Sequence, residues 1–143
     1  MYVDAESRKV GNLHVPEALI TRIRGGECFG VEATLPARVS FLLKDYEYFL
    51  ADPSLFLSRL DALKALQSNE TLASWRDLAT SGEWSQLVEA LLEKHYDPLY
   101  HASQNRNFAA YRPLENFVTD DLSEAGIVAL AKRLLQSRRA QMA

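Results

Sequence analysis

Between Pro36 and Leu92 the chain repeats one pattern four times, an apolar stripe at helical spacing followed by a break. Val39, Leu42, Leu43, Tyr46, Phe49 and Leu50 recur at i, i+3, i+4 and i+7, the period that lines one face of an amphipathic helix. Asp52 and Pro53 end that segment and start the next, in which Phe56, Leu60 and Leu63 form the stripe. Leu72, Trp75 and Leu78 give a third, and Trp84, Leu87, Val88, Leu91 and Leu92 a fourth. Ser68 with Asn69, and Ser81 with Gly82, mark the intervening stops. Helices this closely spaced must bury their stripes against one another, so the middle of the chain reads as a helical subdomain. Trp75 and Trp84 fall on the stripes and belong to its core.

The flanks read differently. Val3 to Gly11 is a short apolar strand end running into a charged loop, and Pro16 serves as a first-turn residue for a helix carrying Leu19, Ile20 and Ile23 on one face. Gly25 and Gly26 stop that helix, and Cys28 to Ala33 reads as a strand. Strand, loop, helix and strand make half of a βαβ unit, which pairs in parallel and places the opening loop at the carboxyl end of the sheet. Toward the other end, Phe108 to Tyr111 and Phe117 to Val118 are weak apolar runs, and Pro113 argues against one continuous strand through both. Asp121 and Glu124 have the spacing of a capping arrangement for a final helix whose buried face is Ile127, Leu130, Ala131 and Leu134, ahead of the Arg138, Arg139 tail.

The resulting expectation is an α/β fragment, predominantly helical, with two to four short strands of a parallel sheet, a multi-helix insertion and a C-terminal helix. It forms a single domain over residues 1–143: a partial βαβ unit (1–35), a helical subdomain (36–106), and a short strand with the C-terminal helix (107–143). Of its 143 residues 48% are hydrophobic and 24% charged, which suits a globular domain with a sizeable core. The net charge of −3 supplies no bulk attraction for polyanions, so any RNA contact must come from a local patch. A single cysteine, Cys28, forms no internal disulfide, and no signal pattern or long apolar run is present. The expectation is a cytoplasmic protein with no membrane partner.

Two clusters carry the right groups for chemistry. Glu6, Ser7, Arg8 and Lys9 join a carboxylate, a hydroxyl and a guanidinium able to clamp phosphate bidentately; the plainer reading is a solvated loop capped by Ser7. In the run His95, Tyr96, Asp97, Pro98, Leu99, Tyr100, Pro98 disfavours helical geometry in its predecessor, so a helix should end near Asp97 with Tyr96, Asp97 and Tyr100 gathered at its terminus. Alternatively Asp97 caps a following helix while both tyrosines pack into core. Arg22, Arg24 and Arg38, with Lys44, are candidate RNA contacts if their elements converge with Arg8 and Lys9; otherwise they are ordinary helix surface. His14 suits a surface or capping role better than that of a base. His95 and His101 lie six apart and lack the spacing of a zinc pair, so no metal is expected. Cys28 has no basic neighbour to activate it and reads as a buried structural thiol. No GxxxxGK[ST] phosphate loop occurs, and no catalytic residue is assigned.

Taken in order, VDAESRKVG (3–11), LHVPEAL (13–19), Cys28 to Ala33, the helix with Ala37, Arg38, Val39, Asp45 and Tyr46, SWRDL (74–78), Gly82 to Leu92, HYDPLY (95–100) and Asp120 to Ser123 resemble the C-terminal region of bacterial tRNA 2-selenouridine synthases. The resemblance implies an enzyme that exchanges the sulfur of wobble 2-thiouridine for selenium through an S-geranyl intermediate. Selenophosphate and geranyl diphosphate are the implied co-substrates, with no cofactor held by this chain. Such proteins join a rhodanese-like domain bearing a catalytic cysteine to a P-loop-containing domain, and this sequence resembles only the second half of the latter, so it is expected to be inactive alone. The resemblance places Glu6, Ser7, Arg8 and Lys9 beside a diphosphate or the tRNA backbone. It places Tyr96, Asp97 and Tyr100 on a pocket wall or at the junction with the helical insertion. Expected partners are tRNA in the full-length context, the N-terminal part, or a second copy. The alternative is a stand-alone, non-catalytic helical adaptor for RNA or a protein.

Overall fold

The computed structural model describes residues 2–4, 9–108 and 113–142. It is a predominantly helical α/β fold. A minimal hairpin opens it: β1 (Lys9–Val10) pairs antiparallel with β2 (Leu13–His14), and Gly11 supplies the positive φ of 58° that the tight turn between them needs. Next, α1 (Glu17–Arg24) leads through Gly25 and Gly26 into β3 (Gly30–Ala33).

β3 takes its parallel partner from the far end of the chain. β4 (Asn116–Thr119) lies beside it with Gly30 opposite Asn116 and Ala33 opposite Thr119. A Cβ on residue 30 would overlap the Asn116 side-chain amide, so glycine permits this close pairing. Of the opening run Val3 to Gly11, expected at this parallel sheet, Val3 and Asp4 form no strand, Lys9 and Val10 pair with Leu13 and His14 in the separate antiparallel hairpin, and 5–8 lie outside the described residues, as do 109–111 of the Phe108 to Tyr111 run.

Between the two strands the described elements are all helical. α2 (Leu35–Asp45) and α3 (Glu47–Ala51) replace the single helix expected from Pro36 to Leu50, because Tyr46 leaves helical geometry at φ −106° and ψ 27°. α4 (Pro53–Leu60) starts where Asp52 Oδ1 accepts the Ser54 and Leu55 backbone N–H groups. After a 3₁₀ turn (Asp61–Ala65), α5 (Asn69–Ser81) is capped by Ser68 and closed by Gly82 at φ 76°. α6 (Trp84–Leu91), a π-helical stretch (Leu92–Tyr96) and α7 (Asp97–Asn107) follow without a break.

The main core lies within this insertion. Leu60, Leu72, Trp75, Ala79, Leu87 and Leu91 form one buried cluster, and Phe56, Leu57, Leu63, Leu78, Trp84 and Ala90 pack around it. Trp84 meets Phe56 edge-on with ring centroids 5.7 Å apart. Thus the stripes at Phe56, Trp75 and Leu87 are the faces the sequence indicates.

Around the sheet, burial is sparser. The final helix, α8 (Glu124–Met142), packs against β4: Arg133 donates to the Val118 carbonyl at 3.0 Å and lies over the Phe117 ring at 5.9 Å. Leu130 is buried, but Ile127 is 49% exposed and Ala131 faces solvent, so the expected inward face is turned by part of its width. The cap also differs. Ser123 Oγ accepts the Gly126 N–H, while Asp121 accepts the Ser123 N–H in a local turn. Among the described residues, no helix is long and apolar enough to cross a membrane.

Candidate functional site

The HYDPLY run does not sit at a helix end. Pro98 lacks the N–H that would bond the Lys94 carbonyl four residues earlier. Gln67 fills that position: its side-chain amide donates to the Lys94 carbonyl at 3.1 Å. The chain upstream widens into the π-helical stretch, a geometry found where a helix absorbs such a defect. With the carbonyl satisfied from outside, the helix passes through Asp97 and Pro98 into α7. The expected terminus near Asp97 is replaced by a continuous rod, and Asp97, in helical conformation, makes no side-chain cap.

Asp97 instead binds Arg38. The guanidinium meets the carboxylate in a two-point fork, Nη1 to Oδ2 at 2.9 Å and Nη2 to Oδ1 at 2.5 Å, with about 30% of each side chain exposed. Hydrogen bonding from Arg38 holds the Asp97 carboxyl below the usual range despite partial burial, and Asp97 raises the Arg38 pKa in return. Both groups therefore stay charged at neutral pH. Asp97 is a strut between α2 and α7, and its low pKa makes it unsuited to general acid or base work.

Tyr96 and Tyr100, one helical turn apart, flank this strut at 56% and 52% exposure. They do not pack into core. His95 does: it is 5% exposed, its ring lies edge-on to Tyr96 at 5.0 Å, and Nδ1 lies 3.2 Å from the Gln67 amide. An amide nitrogen only donates, so this contact is a hydrogen bond in the tautomer that leaves Nδ1 free to accept. Gln67 thereby ties the π-helical stretch to the connection between the 3₁₀ turn and α5. The sequence carried no sign of this role, because its partners lie 27 and 28 residues away.

The remaining candidates are dispersed. Glu6, Ser7 and Arg8 lie outside the described residues. Lys9 begins the hairpin opposite His14. Arg22 and Arg24 occupy the last turn of α1, exposed and half-buried respectively, whereas Arg38 is committed to Asp97. The structure thus brings Arg38 together with the Tyr96–Tyr100 cluster. Cys28 is half-buried, with Sγ 3.8 Å from the Gly26 carbonyl. Among the described residues no group of three or more His, Cys, Asp and Glu side chains is placed to hold a metal ion. No protein-family model, curated protein or solved structure matches the chain.

Proposed function

We propose that this chain is the C-terminal part of a tRNA 2-selenouridine synthase, working on wobble 2-thiouridine with selenophosphate and geranyl diphosphate as co-substrates. The observation that carries this reading is the ordered series of segments from VDAESRKVG (3–11) through SWRDL (74–78) and HYDPLY (95–100) to Asp120–Ser123. An order maintained over almost the whole chain is more specific than any one of its short motifs. The architecture supports it: a parallel strand pair, a helical insertion between the strands and a closing helix are consistent with part of an α/β module.

In this reading Arg8 clamps phosphate, with Glu6, Ser7 and Lys9 beside it. The Arg38–Asp97 fork supports a junction role for Asp97, fixing the helical insertion and presenting Tyr96 and Tyr100 to a pocket. The 143 residues contain no GxxxxGK[ST] loop, so turnover needs the rhodanese-like and P-loop segments. The test places Arg8→Ala and Asp97→Ala in the complete enzyme and quantifies 2-selenouridine in digested tRNA. Each substitution is expected to lower the yield, and the isolated chain is expected to form none. Unchanged yield with both substitutions, or product from the isolated chain, contradicts the assignment.

A further inference from the structure

Charge is unevenly divided along this chain. Residues 125–143 hold four of the 16 Lys and Arg residues, Lys132, Arg133, Arg138 and Arg139, and no acid; the first 124 hold the other 12 against all 19 acids. An acidic protein thus carries one strongly basic helix end. Part of that charge serves the fold, since cations suit a helix C-terminus and Arg133 is occupied by Val118 and Phe117.

Arg138 reaches Glu27 at 2.6 Å, drawing the end of α8 to the end of α1. Glu27 also lines an open depression of about 540 Å³ together with Ala18, Thr21, Arg22, Gly25 and Gly26. Lys132 and Arg139 lie seven residues apart and share a face of α8. Arg22, Arg24, Lys132 and Arg139 have no hydrogen-bond or ion-pair partner among the described residues. Unpaired positive side chains on two helices that the Arg138–Glu27 pair joins, one of them (Arg22) in the lining of the depression, fit a chain of phosphates, which guanidinium groups grip with directional hydrogen bonds. A lipid surface fits less well, because α8 has no aromatic residue and two of its half-exposed large apolar side chains, Ile127 and Val128, lie near its N-terminal end, away from the basic end.

We propose that α1 and the C-terminal half of α8 form one contact surface for an RNA sugar-phosphate backbone. Arg22, Arg24, Lys132 and Arg139 supply the phosphate contacts, and Glu27 holds Arg138 neutralised at its centre. The inference rests on the tRNA-enzyme reading for the identity of the RNA, and it replaces Arg38 as a contact with the cations of α8.

The experiment is a fluorescence-anisotropy titration of the chain against a labelled tRNA transcript over a range of KCl concentrations. Removing four cations together (R22Q, R24Q, K132Q, R139Q) is expected to weaken binding at least about tenfold and to flatten the log–log salt slope by about 0.7–0.9 per cation. A control pair on the helical insertion, R59Q with R76Q, leaves both unchanged. Glu27→Gln frees Arg138 and tightens binding severalfold, an effect of opposite sign to the loss expected from removing a merely structural ion pair. Equal weakening by the quadruple variant and the control overturns the surface, as does the absence of RNA binding. So does cation-dependent binding to phosphatidylglycerol-containing vesicles that exceeds binding to RNA. An unrelated RNA hairpin separates the two readings. If hairpin and tRNA bind equally through these cations, the surface stands and tRNA selectivity fails. If tRNA is preferred and the quadruple variant binds normally, the surface fails and the tRNA reading stands.

Discussion

In the helical insertion Leu60, Leu72, Trp75, Ala79, Leu87 and Leu91 bury one another, whereas around the sheet Ile20, Phe117 and Leu130 are buried beside Val31, Val118, Ile127, Val128 and Leu135, each about half exposed. The difference follows from the geometry of each region. Three consecutive helices joined by short turns close a core from local contacts. A parallel pair of four-residue strands covers little, and such sheets are ordinarily buried on both faces. The insertion therefore behaves as a scaffold, while the sheet and α8 hold the less consolidated surface to which the proposed RNA contact belongs.

The comparison breaks most readily at its largest expected effect. Trp75→Ala should cost about 3–5 kcal/mol, and Leu130→Ala about 2 kcal/mol because α8 borders solvent and can settle inward. Urea melts of the two variants measure this; equal losses would mean that the regions are equally consolidated. Breaking the strut between α2 and α7 with Asp97→Asn should cost about 1–2 kcal/mol at neutral pH. Its pH dependence has a definite sign. The folded Asp97 pKa lies below its unfolded value, so the pair's stabilisation is fully present above the unfolded carboxylate range and is lost as pH falls through the folded pKa. The gap between wild type and variant should hold down to about pH 5, narrow below about pH 4 and close only once pH has fallen through the depressed folded pKa, measured by melts across that range. Smallest is Ser123→Ala, which removes the cap of α8 at a cost of about 1 kcal/mol and should speed amide exchange in the first turn of that helix.

Much of the fold was legible in the sequence where structure is local. The stripes at Phe56, Trp75 and Leu87 and the breaks at Asp52, Ser68 and Gly82 depend on neighbours within a few residues. Pro98 misled because the proline rule is local, while the carbonyl it orphans is satisfied by Gln67 from another element. The inward face of α8 was misjudged because its sequence offers two apolar stripes, one through Leu130 and Leu134 and one through Ile127, Ala131 and Leu135. Packing on β4 selects between them. At the candidate site the Tyr96, Asp97, Tyr100 grouping was visible as a motif. Its partner Arg38, 59 residues away, was placed instead among the RNA contacts, since charge in a sequence does not disclose what it faces.

The division between scaffold and contact surface is tested most directly by hydrogen–deuterium exchange of the chain with and without tRNA. Without RNA, amides of α4, α5 and α6 are expected to exchange most slowly and those of β3, β4 and α8 faster. With RNA, additional slowing should be confined to α1 and the C-terminal half of α8. Slowing centred on α4–α6, or uniform protection of the two regions in the free chain, would contradict the account.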